Sequence, residues 1–121
     1  MEQMTKTIKD VDVTFFKKVE EVSVDDVNPG DIVYVKVKSR LNYGIREWEY
    51  YGRIVKKTNC YIWFVEYCNA YKNDNWNTES IEQREQSEKC IGKWSKNSVL
   101  ELWKVTTEKK IVTKEYLGNV R

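Results

Sequence analysis

Few residues in this chain are spaced for chemistry. Glu108-Lys109-Lys110 matches the E-x-K end of a nuclease signature, and Asp10-x-Asp12 and Asp25-Asp26 are paired carboxylates of the kind that can touch Mg²⁺. No motif places a further acid beside any of them, and short acidic pairs near turns more often cap or stand solvated. The chain has no histidine, which excludes histidine triads, histidine general bases and histidine-ligated zinc or iron. Its five glycines stand singly at 30, 44, 52, 92 and 118, so no glycine-rich loop is present to cradle a phosphate. Cys60, Cys68 and Cys90 are odd in number, widely spaced and never C-x-x-C, which supports neither a disulfide framework nor a four-cysteine zinc site. Cys60 and Cys68 read instead as small buried fillers at strand ends. The expectation is a protein that is not an enzyme, with no catalytic residue, metal, cofactor or small-molecule substrate.

The remaining chemistry is aromatic and basic. The sequence carries 5 Trp, 8 Tyr and 3 Phe. Lys36, Lys38, Arg40, Arg46, Arg53, Lys56 and Lys57 cluster against only Glu47 and Glu49, and a second run of lysines occupies residues 89 to 114. Between them, residues 74 to 88 hold five acids against Arg84, so the net charge of +2 conceals a polarised molecule. If the first cluster shared one face it would attract phosphates, with neighbouring rings stacking on bases. Solvated strand edges that discourage edge pairing account for the same lysines.

The elements that position these groups are strands. The apolar inventory is dominated by 15 Val and 8 Ile against 4 Leu and one Ala, and 121 residues suffice for one domain with a real core. The longest wholly apolar run, Cys60 to Val65, is far too short to span a bilayer, and no signal-like stretch opens the chain. An intracellular setting, cytoplasmic, nuclear or within a virion, is expected. The excess of residues with AT-rich codons points to an AT-rich genome such as those of many viruses and phages.

Val11, Val13 and Phe15 predict one strand in an N-terminal extension, residues 1 to 22, behind a frayed leader at 1 to 7. Ser23 to Val27 predicts a short capped turn and Asn28-Pro29-Gly30-Asp31 a tight turn. Strands follow at 32 to 38 and 47 to 57, separated by a loop over 40 to 46, with Gly52 marking a bulge or bend. Residues 60 to 67 form the central strand. It sets Cys60, Ile62, Phe64 and Glu66 on one face and Tyr61, Trp63, Val65 and Tyr67 on the other, so neither face is polar for most of its length. Residues 68 to 90 read as a polar insertion, with a polar helix over 79 to 90 anchored by Ile81 and Ile91. Strands at 91 to 95, 98 to 105 and 110 to 117 complete the chain, the last two as a hairpin turning at 106 to 109.

The stretches Asn28-Pro-Gly-Asp-Ile-Val-Tyr-Val-Lys-Val, Trp48-Glu-Tyr-Tyr-Gly-Arg-Ile-Val and Tyr61-Ile-Trp-Phe-Val-Glu-Tyr resemble the first three strands of a small Src-homology-three-like barrel of the Tudor, chromo or KOW type. The resemblance covers about 40 of the 121 residues. It implies a small barrel fold and, as in Tudor-type domains, an aromatic cage for a methylated lysine or arginine near Tyr43, Trp48, Tyr50, Tyr67 or Tyr71.

The fold expected is mostly β: a five- to six-stranded antiparallel small barrel or strongly bent sheet, residues 23 to 121, with the N-terminal strand extension and the insertion at 68 to 90. A barrel has one interior, yet its middle strand is apolar front and back. The surplus face must be covered by the extension, by the insertion or by a partner. The function expected is a non-catalytic protein-interaction or assembly module, plausibly viral or phage, that binds a protein partner or self-associates through Trp48, Tyr50, Tyr61, Trp63, Tyr67 and Trp76. A nucleic-acid-binding barrel using the seven basic residues from Lys36 to Lys57 is the alternative, and a methyl-lysine reader a third.

Overall fold

A computed structural model describes residues 3–70 and 75–120, with side chains described for 8–40, 42–70 and 76–113. Seven strands form one antiparallel sheet: β1 (Gln3–Glu21), β2 (Ile32–Leu41), β3 (Gly44–Lys57), β4 (Tyr61–Asn69), β5 (Asn75–Asn77), β6 (Ile91–Ser95) and β7 (Val99–Val120). Their order is β5-β1-β7-β2-β3-β4-β6, with one short helix, α1 (Thr78–Glu85), between β5 and β6.

Both faces of the sheet carry a core. On the inner face Val33, Val35 and Val37 of β2, Ile54 of β3, Ile62 and Phe64 of β4 and Leu102 of β7 are buried with Val27. On the outer face Phe16 of β1, Tyr34, Tyr51, Val65, Tyr67 and Cys68 are buried, with Trp76, Ile81 and Trp103 packed against them. Burying each such aliphatic or aromatic side chain contributes about 1.5–3 kcal/mol.

Two connections show that the sheet bends rather than lying flat. β6 and β7 stand four strand spacings apart, about 19 Å if flat. The 3-10 turn Lys96–Ser98 alone joins them, and it advances only about 8 Å from Ser95 to Val99. That end must curl around the inner cluster. At the other end Phe16 of β1 lies three strands from Tyr51 of β3, yet their rings stack at 4.9 Å, so β1 folds over the outer face.

Local chemistry sets the corners. Asp26 takes the Ser23 amide and hydroxyl on its carboxylate at 3.2 and 3.0 Å, closing the turn Val24–Asp26. Asp31 N–H donates to Asn28 carbonyl at 3.1 Å around Pro29 and Gly30, whose φ of +100° suits glycine. At Gly52 the β3–β4 register shifts, and a Cβ there would lie 2.1 Å from the Val65 carbonyl oxygen. The bulge lets the consecutive residues Tyr67 and Cys68 both reach the outer cluster.

Several expectations need correction. Among the described residues the sheet has seven strands and is not closed into a barrel, because β5 and β6 are its edges with no pairing between them. The strand expected to turn at 106 to 109 runs straight through as β7, 22 residues long. Thr106-Thr107-Glu108-Lys109 contains no Gly, Pro or Asn, and these residues pair in turn with Lys17, Phe16, Phe15 and Thr14 of β1. The expected loop over 40 to 46 is a two-residue turn, Asn42-Tyr43, between β2 and β3. The leader expected to fray is paired from Gln3, and from Gln3–Asp12 to Ile111–Val120 the two strands, among the described residues, pair only with each other, a ribbon about 33 Å long at strand rise. Phe16 rather than Phe15 delivers the buried ring, and Cys60 is exposed in the turn before β4. α1 is anchored by Ile81, whereas Ile91 lies exposed on β6.

Gly52→Ala is expected to lower unfolding stability by more than about 3 kcal/mol in urea, since backbone must move. Gly92→Ala, whose Cβ meets the swinging carboxylate of Glu66 at 2.9 Å, should cost about 1 kcal/mol or less.

Candidate interaction surface on strand β4

The alternation of β4 puts Tyr61, Trp63, Val65 and Tyr67 on the outer face, and the described residues cover only the second half of that row. Val65 and Tyr67 lie beneath β1 and α1, with the Tyr67 ring 6.1 Å from Phe16. Trp63 is half-buried and Tyr61 is 40 % exposed, their rings 6.0 Å apart. The register sets Trp63 directly between Lys56 of β3 and Lys93 of β6. Lys56 Nζ stands 4.8 Å from the Trp63 ring, and Lys93 Nζ 4.2 Å from the Tyr61 ring and 5.3 Å from that of Trp63. Cation–π attraction accounts for this seating of both exposed lysines. Ile91, beside Lys93 on the same face of β6, is 41 % exposed.

The edge of the covered half is held by a polar lock. Arg53 Nε donates to Glu85 Oε1 at 2.9 Å and Oε2 at 3.2 Å, its Nη2 donates to Oε2, and the Tyr67 hydroxyl also donates to this carboxylate. Arg53 chiefly, with the Tyr67 hydroxyl, holds the Glu85 carboxyl below the usual carboxylate range. Burial, then the Glu85 hydrogen bond, pushes the Tyr67 phenol well up. The lock fastens the C-terminal end of α1, which Asn77 caps at its start by accepting from the Glu79 amide at 2.8 Å. Thr14 and Thr78 hydroxyls meet at 3.0 Å beneath it.

The six aromatic residues expected to bind a partner do not converge. Tyr61 and Trp63 are together. Tyr67 and Trp76 belong to the covered cluster, where Arg84 lies 5.5 Å over Trp76. Trp48 and Tyr50 pack against the inner cluster on the opposite face. Of the positions the barrel resemblance offered for a cage, Tyr43 stands exposed at the β2–β3 turn, Trp48 and Tyr67 lie on opposite faces, and the side chain of Tyr71 is outside the described residues.

The seven basic residues also disperse. Lys36 pairs with Glu47 at 3.4 Å and lies across from Glu49 and Glu101, while Lys38 lies across from Glu47. Arg40 is exposed near the turn, and Arg46 sits 4.4 Å over Trp48. Arg53 is taken by Glu85, and Lys57 donates to the Val27 carbonyl at 2.8 Å. Only Lys56 reaches the exposed aromatic pair. Elsewhere, Asp10 accepts from Thr113 at 2.7 Å, Asp25 pairs with Lys96 at 3.5 Å, and Glu108 pairs with Lys110 at 3.5 Å in mid-strand. Among the described residues no three ligating side chains gather to hold a metal, and no helix is long and apolar enough to cross a membrane.

Lys93, Ile91 and Glu85 were missed from sequence. The alternation Ile91-x-Lys93-x-Ser95 carries the face, but only the β4–β6 register reveals which rings it meets. Neither a family model, nor a curated protein, nor a solved structure matches this chain.

Because Glu85 has a lower pKa folded than its ordinary 4.5, its contribution is complete above that value and lost as pH falls below it toward the folded pKa. Urea stability of the wild type should therefore fall with acidification below about pH 4.5 more steeply than that of Glu85→Gln, and Glu85→Ala at neutral pH should cost about 1–3 kcal/mol.

Proposed function

We propose that the chain is a non-catalytic interaction module that binds a protein partner through the uncovered half of β4's outer face. The observation that supports this reading is the point at which the chain's own cover stops. β1 and α1 shield Val65 and Tyr67, while Tyr61 and Trp63 remain at the surface beside Ile91. Rigid aromatic rings on a strand, flanked by aliphatic and cationic groups, are the side chains that dominate binding energy in protein interfaces. The dispersal of the seven basic residues from Lys36 to Lys57 weakens the nucleic-acid alternative, since most of them already have carboxylate, carbonyl or ring partners.

The experiment is selection of binders from a displayed random peptide library on the wild-type chain, with the same binders then measured on Tyr61→Ser/Trp63→Ser. Loss of affinity by about tenfold or more on the double variant is expected, with a thermal melt showing that the variant still folds. Binders unaffected by the double variant would contradict the reading. So would a labelled oligodeoxythymidine of about 20 nucleotides that binds and is released steeply by salt.

A further inference from the structure

Among the described residues β6 is an edge strand, paired only with β4, and its register decides which backbone groups are free. Lys96 N–H donates to the Cys60 carbonyl at 2.9 Å, so Cys60 and Lys96 form a hydrogen-bonded pair in phase with Ile62–Trp94 and Phe64–Gly92. The intervening residues Ile91, Lys93 and Ser95 therefore point their backbone groups away from β4. The Ile91 amide is taken by the Glu88 carbonyl. Among the described residues the Lys93 amide and carbonyl, the Ser95 amide and the Ile91 carbonyl are left facing outward.

The side chains of those same residues lie on the outer face, continuous with Trp63 and Tyr61. Lys93 is seated on both rings, and neither Lys93 nor Lys56 has a carboxylate in ion-pair reach among the described residues. The surface thus offers a strand edge, an apolar side chain and cations without acidic partners among the described residues. A second copy of the chain suits it poorly: pairing β6 with itself over its full length sets Lys93 opposite Lys93, which is destabilising. A lysine on an edge discourages pairing with a like-charged edge, whereas a carboxylate directly opposite it is a favourable cross-strand pair.

We propose that the free edge of β6 takes an extended acidic segment of a partner protein as an eighth strand. A carboxylate of that segment would lie opposite Lys93, and an apolar side chain two residues away would lie opposite Ile91. Lys56 is three strand spacings from the added strand, about 14 Å, beyond a Debye length, so Lys93 is the cation that pairs with it. Main-chain hydrogen bonds supply affinity in this mode and the alternating side chains supply selectivity. The inference rests on the protein-interaction reading above and names the chemistry of its partner.

A backbone-selective variant tests it. Ser95 has φ of −63°, the angle proline adopts, and its amide faces outward. Ser95→Pro therefore removes a donor that only an added strand would use, and Ser95→Ala controls for the lost side-chain cap to the Asn97 amide. A random library of roughly twelve-residue displayed peptides is selected on the full chain, enough to span a five-residue edge strand. The proposal expects enriched peptides with acidic and apolar residues at alternate positions. It expects shifts at the Lys93 and Ser95 amides in NMR spectra, and affinity about tenfold weaker on Lys93→Glu and on Ser95→Pro but not on Ser95→Ala. Peptides without acids, or peptides lost on Tyr61→Ser/Trp63→Ser yet indifferent to Ser95→Pro, would overturn strand addition and leave the aromatic surface standing. Binding of oligodeoxythymidine with no peptide enriched, or no enrichment of any kind, would overturn both.

Discussion

Strand β4 must be taken out of water twice. Ile62 and Phe64 on one face and Val65 and Tyr67 on the other are all nearly or wholly inaccessible, which a single-layer sheet cannot achieve with one cover. The chain meets the demand by curling its sheet in two senses. Toward the inner face, the Lys96–Ser98 turn draws β6 and β7 together around the cluster that holds Phe64 and Val27. Toward the outer face, β1 crosses over and brings Phe16 onto Tyr51 and Tyr67. Gly52 permits this arrangement because the β4 backbone passes where any side chain would stand.

The outer cover depends on a helix with little apolar surface of its own. α1 has no buried residue and offers chiefly Ile81 to the cluster, and a helix of eight residues is too short to persist alone. It is held by groups at its two ends: Asn77 and Thr78 at the start, and Glu85 with Arg53 and Tyr67 at the finish. The acidic block of the sequence is thus partly structural, since one of its carboxylates joins the insertion to the sheet. The cover ends there. Beyond it, among the described residues, Lys56 and Lys93 lie over Trp63 and Tyr61, and a lysine ammonium is readily displaced or drawn to a carboxylate because it loses little by leaving a half-wet ring.

Much of the sheet was legible because its signals are local. The two-residue alternation placed Ile62 and Phe64 opposite Val65 and Tyr67, Pro29 and Gly30 marked their turn, and a lone glycine inside β3 marked the bulge. The requirement for a second cover was also legible, together with the extension and the insertion as its sources. Long-range geometry was not. Polar residues in mid-β7 looked like a turn, although threonine is at home in strands and β1 holds the segment extended. Phe15 and Phe16 are adjacent, and only the packing of β1 decides which ring enters the core. The site was half legible: Tyr61 and Trp63 follow from alternation, whereas the flanking lysines depend on cross-strand register, which no short pattern encodes.

The most direct measurement of this divided face is hydroxyl-radical footprinting of the free protein at a concentration where it is monomeric. Tyr61 and Trp63 should be oxidised readily, while Tyr67, Tyr51 and Phe64 remain protected until the chain unfolds. Equal labelling of Tyr67 and Tyr61, or protection of Tyr61 and Trp63 in the isolated monomer, would contradict the account.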